Sequence, residues 1–257
     1  MSRRPQDHYG HRARREGYPA RSVYKLQAID ERYRLFHPGM RVLDLGAAPG
    51  SWTLYVAERL RGRGQVVAVD LQRLALAPSS LIQVLQMDVF AIEVGVEPFL
   101  RGAFDVVLSD MAPSTTGNRT VDQARSFNLF MRALEVAQGV LKEGGAFVGK
   151  IFQGPDFEEA RAAMRAAFAE VRVAKPPASR KESIEVFLVG LRKQGREKSP
   201  DDSPEEHFED KETQRSKEKP GEEVFVSVRG SACFEKGAQI AFDDASPRGF
   251  GECAKEV

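Results

Sequence analysis

Apolar residues along this chain gather in short runs separated by glycine, proline and charged positions. Runs rich in Val, Leu and Phe stand at Val42 to Leu45, Val66 to Leu71, Ile82 to Leu85, Phe104 to Ser109, Ala146 to Phe152 and Glu185 to Leu191. Their length and composition predict strands. Between most of them, apolar positions recur three and four residues apart, over Ser51 to Leu60, Val121 to Leu141 and Asp156 to Phe168, which predicts helices. A further helix is expected over Ser22 to Leu35, with Tyr24, Leu26, Ile29 and Leu35 available to pack. Short strands alternating with helices predict an α/β fold on a mostly parallel, doubly wound sheet, with helices on both faces.

The pattern stops after Gln194. From there "GREKSPDDSPEEHFEDKETQRSKEKPGEE" offers almost nothing to bury and is expected to be disordered, because no core offsets its ordering entropy. The stretch "VFVSVRGSACFEKGAQIAF" beyond it is too short for a domain. The expected organisation is therefore a basic N-terminal arm and helix over 1–35, an α/β domain over 36–194, and a charged tail over 195–257.

Composition changes the picture in three ways. A chain of 257 residues is long enough for one substantial α/β domain. No apolar run reaches membrane-spanning length and the N-terminus is charged where a secretory leader is apolar, so a soluble cytoplasmic protein is expected. Only two cysteines occur, Cys233 and Cys253, which supports neither a disulfide framework nor a clustered cysteine metal site, and no metal is expected. The net charge of +1 divides unevenly: residues 1–194 hold 28 Lys+Arg against 21 Asp+Glu, and residues 195–257 hold 10 against 16. A basic body points to a polyanionic partner.

In an open α/β sheet, ligands bind beyond the carboxyl ends of the strands. Those ends are rich here. The first strand carries Asp44 and runs into Gly46-Ala-Ala-Pro-Gly50, where glycine permits a tight turn and close approach of a ligand. The second ends in Asp70, placed to accept from ribose hydroxyls. The third ends near Asp88, where an acceptor can meet an adenine amino group, and the fourth runs into Asp110 in "SDMAP". A dinucleotide fold uses Gly-x-Gly-x-x-Gly to cradle phosphates. Here Pro49 interrupts the turn and Asp44 lies below it, an arrangement that repels phosphate and attracts a cation. S-adenosylmethionine, with adenosine, sulfonium and ammonium but no phosphate, meets those conditions. Lys150 lies within an apolar strand, where an unpaired lysine is costly. Lys25, in the N-terminal helix, can be read as solvated, and Glu185 as an edge-strand solubility residue. Spacing alone does not bring the four together.

Five ordered motifs, "RSVYKLQAID", "LDLGAAPGSW", "DMAP", "VGKIFQG" and "RKESIEVFLV", resemble those of the FtsJ-like RNA ribose 2'-O-methyltransferases over about residues 7–192. The resemblance implies a Rossmann-like S-adenosylmethionine-dependent methyltransferase with a mostly parallel seven-stranded sheet, its last strand antiparallel. It carries a catalytic Lys-Asp-Lys-Glu tetrad onto Lys25, Asp110, Lys150 and Glu185. Its cofactor contacts fall on Gly50, Trp52, Asp70, Asp88 and Asp110, beside which Gly46 of the turn is a further cofactor-site candidate. Trp52 packs either near the methionine end or in the core. Ser51, Ser114 and Ile184 depart from the residues many relatives carry. The implied reaction is 2'-O-methylation of RNA, with a uridine of large-subunit ribosomal RNA as substrate and transfer RNA as the alternative. A nicotinamide-dependent oxidoreductase and a noncatalytic RNA-binding module are the rivals from other classes. The expected partner is ribosomal RNA in a large-subunit particle and the expected state a monomer. The N-terminal 34 residues, with nine Lys+Arg against four Asp+Glu and Tyr9, Tyr18 and Tyr24 interleaved, form the expected RNA-gripping surface.

Overall fold

The computed structural model describes residues 8–195, apart from 75 and 181. The tail over 195–257 therefore lies, but for its first residue, outside the described residues, as do both cysteines and the first seven residues of the arm.

Seven strands form one sheet in the order β3-β2-β1-β4-β5-β7-β6. They are β1 (Arg41–Leu45), β2 (Gln65–Asp70), β3 (Ile82–Gln86), β4 (Phe104–Ser109), β5 (Leu141–Phe152), β6 (Phe168–Ala174) and β7 (Glu185–Lys193). The pairs among β1 to β5 are parallel, and β7 runs antiparallel to both β5 and β6. The helices are α1 (His8–Arg15), α2 (Val23–Tyr33), α3 (Ser51–Leu60), α4 (Arg119–Val140) and α5 (Phe157–Ala167).

Alternation along the strands divides the interior into two layers. Leu43, Leu45, Val67, Val107, Phe147, Ile151 and Leu188 face α4 and α5 with Phe130, Leu134 and Met164. Val42, Val66, Val106, Leu108, Val148, Phe187 and Val189 face the α1 to α3 side with Leu26, Ile29, Trp52 and Val56. Gly149, on the face of β5 that packs against α4, has a packing reason to be glycine. A methyl there would lie 2.7 Å from both Phe130 and Phe147, whose rings meet edge to face at 5.7 Å. Gly149→Ala is expected to cost about 1–3 kcal/mol, as overpacked cores do, and to lower the urea midpoint with an unchanged m-value.

Two elements depart from the expected pattern. Strand β6, "FAEVRVA", lies at the sheet edge with Phe168 and Ala174 buried and its middle residues partly or fully exposed, so it lacks the apolar run that marks an interior strand. Helix α1 forms where a basic arm was expected; Ala13 is buried and Tyr9 packs against Tyr24, which anchors an otherwise polar segment. Strand β7 lies between β5 and β6, so Glu185 is not an edge-strand residue.

Candidate active site

The parity that sorts the core also sorts the charges. Asp44 and Asp70 share the side of the sheet that faces α3, alternating with core residues Leu43, Leu45 and Val69 of the other layer. In register, Leu45 pairs with Val69 and with Ser109, and Ser109 pairs with Gly149. One residue further, the row across the sheet reads Asp70, Gly46, Asp110, Lys150, and Lys150 pairs with Phe187 of β7. Asp44 lies one layer below this row. Glu185 is the same-face neighbour of Phe187, diagonal to Lys150, within reach of long side chains.

At the centre of the row stands a residue without a side chain. Gly46 has φ +75°, and a Cβ there would collide with Met111. Gly50, at φ +108°, opens α3 as its N-cap, and a Cβ there would approach Leu76 to 2.5 Å. Between these glycines the Ala48–Pro49 peptide is cis. A cleft of about 370 Å³ lies over the row, lined by Gly46, Ala48, Asp70, Leu71, Met87, Asp88, Val89, Asp110, Met111 and Ser114. Its volume suits a nucleoside-sized ligand.

Each acid is held differently. Asp70 accepts from the Ala48 amide at 2.8 Å and the Gln72 amide at 2.7 Å, one to each oxygen, which fixes the carboxylate and leaves lone pairs on both oxygens. Asp88 lies two residues past β3, at the N-terminus of the single 3-10 turn Val89–Ala91, and accepts from the Phe90 amide at 3.0 Å. Arg132 of α4 donates to the carbonyls of Val89 and Ile92 and so anchors the segment carrying Asp88. Asp44 is fully buried. Its Oδ2 accepts from the Thr53 hydroxyl at 2.7 Å, and its Oδ1 has no hydrogen-bond donor among the described residues. Burial pushes the Asp44 carboxyl up to about 7; the Thr53 hydrogen bond works downward, and the charges of Asp110 and Asp70 add to the rise.

The two lysines are buried and paired. Lys150, 7% exposed, lies 2.9 Å from Asp110 Oδ1 and donates a hydrogen bond to the Asp110 carbonyl. The 2.9 Å contact is an ion pair without hydrogen-bond geometry, so Asp110 Oδ1 is buried with no hydrogen-bond donor. Lys25, 9% exposed rather than solvated, meets Glu185 Oε1 at 2.6 Å. Ser179 donates to the same oxygen at 2.9 Å. Burial of Glu185 acts upward on its carboxyl, but the charge and hydrogen bond of Lys25, with Ser179 and the charge of Lys150, outweigh it and hold the group below its ordinary value.

The placement of Lys25 depends on how α2 is docked. Asp30 accepts from the Leu35 and Phe36 amides with one oxygen, and meets Tyr55 and Arg59 of α3 with the other. At the other end of α2, Trp52 donates its indole N–H to the Ser22 carbonyl at 2.9 Å and packs on Phe187. Trp52 is thus a core residue, 3% exposed, and its ring does not line the cleft. Ser51 accepts from the Ala20 amide at 2.7 Å, a tie that a glycine at this position lacks. The sequence placed Asp44 below the turn as an acid that attracts a cation; its complete burial, and the supporting roles of Ser51, Asp30, Ser179 and the Trp52 indole, come from the packing.

A doubly wound sheet whose order reverses between β1 and β4, with acids along the strand ends beside that switch point, defines a Rossmann-like α/β protein with its ligand site over those acids. A ribosomal RNA methyltransferase structure from Plasmodium falciparum shares the fold, with a TM-score of 0.62 and 23% identity over 70% of this chain and 100% of that one. The profile of the FtsJ-like methyltransferase family matches residues 18–193. Ribosomal RNA large subunit methyltransferase E of Sorangium cellulosum is 52% identical over 182 residues, 70% of this chain and 85% of that protein. The protein of the same name from Nitratidesulfovibrio vulgaris strain DP4 is 50% identical over 198 residues, 76% of this chain and 97% of that protein. The chain belongs to the FtsJ-like methyltransferase family.

Proposed function

We propose that the protein methylates a ribose 2'-hydroxyl of RNA with S-adenosylmethionine as donor, and that its substrate is a uridine of large-subunit ribosomal RNA. The observation that carries this reading is the row Asp70, Gly46, Asp110, Lys150, with the buried Lys25–Glu185 pair beside it. It joins an acid cluster suited to a cation directly to a pair of lysines suited to an oxygen nucleophile and its phosphates. A nicotinamide-dependent oxidoreductase has no use for the lysines, and a noncatalytic RNA-binding module has none for the acids.

The residues fit the cofactor. The buried Asp44 Oδ1 lacks a hydrogen-bond donor among the described residues, as expected where positive charge is to be received, and Asp110 Oδ1 is met only by the Lys150 ion pair. Asp70 would accept from the ribose hydroxyls and Asp88 from the adenine amino group, with exposed Leu71 and buried Val89 against the ring. Gly46 and Gly50 keep the turn open for the methionine portion. Because its ring is committed to the core, Trp52 would contribute through its main-chain amide, one of the unpaired donors of the first turn of α3. When bound, S-adenosylmethionine supplies a methyl group on a sulfonium centre.

The chain's own residues then have three tasks. Lys150, fixed by the carbonyl and carboxylate of Asp110, orients the 2'-hydroxyl as an ammonium donor, and only as the neutral amine would it take the hydroxyl proton while the oxygen attacks. Asp110 holds the Lys150 amine and faces the cationic centre. Lys25, ion-paired with Glu185, which also accepts from Ser179, completes the buried charge network beside Lys150. The shared name of the relatives favours ribosomal over transfer RNA, and the basic body suits an assembled large-subunit particle. On this reading the protein works as a cytoplasmic monomer.

The test is incubation of the full chain with methyl-labelled S-adenosylmethionine and separated transfer RNA, small subunits and unmodified large subunits, followed by mapping of the labelled ribose. Label confined to one alkali-resistant linkage of large-subunit RNA is the expected result. Label in transfer RNA alone would overturn the substrate, and no label in any RNA would overturn the reaction.

A further inference from the structure

Tyr9 and Tyr24 stand beside a small cleft that is separate from the cofactor cleft. Its walls are Tyr9 and Arg12 of α1, Tyr24 and Gln27 of α2, and Pro177 and Ala178 of the segment before β7. Two of its lining residues adjoin residues of the proposed site along the chain. Tyr24 adjoins Lys25 in sequence; Ala178 adjoins Ser179, which donates to Glu185, the partner of Lys25. The cleft therefore flanks the site on the side of the Lys25–Glu185 pair.

Its two tyrosines are not equivalent. Tyr24 is fixed: it is 5% exposed, its hydroxyl donates to Glu16 at 2.8 Å, and the Arg12 guanidinium lies 4.6 Å over its ring. Arg12 is itself tied to Glu16 at 2.8 Å. Burial, followed by the Glu16 hydrogen bond and charge, holds the Tyr24 phenol protonated, pushed up to about 12. Tyr9 packs on Tyr24 with ring centres 5.5 Å apart but stays half-buried, and Pro177 opposite is exposed. A half-buried aromatic ring and an exposed proline lining one small open cleft, with Gln27 and Glu31 at its polar edge, offer a stacking site for a flat, weakly polar ring. Exposed Arg14, Arg15, Lys175 and Arg180 nearby supply the positive charge that a nucleic-acid backbone on either side of such a ring requires.

We propose that the Tyr9–Pro177 cleft takes one unstacked base of the RNA substrate, a neighbour of the nucleotide whose ribose is presented to Lys150. Sequence-tolerant stacking there splays the RNA at the target and sets which ribose reaches the lysine, as expected for recognition of single-stranded or loop RNA. Gln27, whose amide donates to Glu31 at 3.0 Å, lies at the cleft's polar edge and adds a hydrogen-bonding contact to the base. This inference rests on the RNA methyltransferase reading.

Steady-state transfer to unmodified large ribosomal subunits by the full chain tests it, using Tyr9→Ala, Tyr9→Phe and Pro177→Gly. Loss of one stacked base costs roughly 5- to 100-fold in RNA affinity. Tyr9→Ala is expected to raise KM for the subunits by about 10-fold or more, with kcat and the S-adenosylmethionine Kd unchanged. Tyr9→Phe should restore the wild-type KM because the ring, not the hydroxyl, makes the contact. Pro177→Gly should raise KM in the same direction, independently of any effect of Tyr9→Ala on α1 docking. Active wild type with KM unmoved in both Tyr9→Ala and Pro177→Gly overturns the cleft alone; wild type that transfers no methyl to any RNA overturns the underlying reading as well. Equal losses in Tyr9→Phe and Tyr9→Ala also overturn stacking as the contact.

Discussion

Lys150→Ala is expected to abolish RNA methylation, lowering single-turnover rate by roughly 100- to 10,000-fold, the range that positioned acid–base groups contribute. S-adenosylmethionine should still bind, because the Lys150 side chain is not among the groups lining the cleft that holds Asp70 and Asp88. Affinity is expected to stay level or rise. The ammonium lies 2.9 Å from Asp110 Oδ1, and removing it leaves that carboxylate a stronger receiver of the cofactor's positive charge. Lys150→Met retains the buried stem and should behave the same, which separates the loss of the amine from any loss of packing. Rapid-quench kinetics with calorimetry of cofactor binding would measure both quantities. Near-normal turnover in Lys150→Met would remove Lys150 from the reaction; intact turnover with weakened cofactor binding would move it to the cofactor site.

The parallel β-core of this fold and the acids at its strand ends were largely legible in the sequence, because both arise from strong local signals, whereas Lys25 and Glu185 were assigned to the site only through the family resemblance. Interior parallel strands are buried on both faces and read as apolar runs, and β1, β2, β4 and β5 do so. Asp70 terminates its strand, and Asp110 follows its own, as the spacing predicts. Strand β6 was missed because an edge strand buries little, and α1 because a short basic helix is stabilised by tertiary contact at Ala13 and Tyr9 rather than by periodicity. Convergence is the part that no local signal reports. Lys25 reads as a solvated helix lysine until Asp30, Trp52 and Ser51 are seen to dock α2 on α3, and Glu185 reads as an edge residue until β6 covers β7. Trp52 was open between ligand contact and core, and the indole hydrogen bond to Ser22 assigns its ring to the core. Register supplies the rest: once Ser109 pairs with Gly149, Asp110 and Lys150 must be neighbours.

Cofactor affinity is expected to depend steeply on pH through Asp44. Its carboxyl, ordinarily near 3.8, is pushed up to about 7 by burial, with the charges of Asp110 and Asp70 adding to the rise against the Thr53 hydrogen bond. Between those two values the folded chain without ligand holds a proton that the unfolded chain has released. The folded state thus binds more protons in that window, so stability falls as pH rises through it and levels off above about 7. Binding of a cation over the acid row reverses the preference, since positive charge nearby favours the ionised carboxylate. S-adenosylmethionine binding should therefore release close to one proton near pH 6. Its Kd should weaken by about 30-fold from pH 7.5 to 5.5, the change that linkage to one group titrating near 7 allows. Asp44→Asn keeps the shape and the acceptor for Thr53 while removing the titration. This variant should bind more weakly at pH 7.5, with a nearly flat pH dependence, and should lose the fall in apo-protein Tm between pH 5 and 7. Calorimetry in two buffers of different ionisation enthalpy reads the released proton directly. A wild-type Kd that is level from pH 5.5 to 7.5, with no buffer dependence of the heat, would overturn the coupling of cofactor binding to the Asp44 proton.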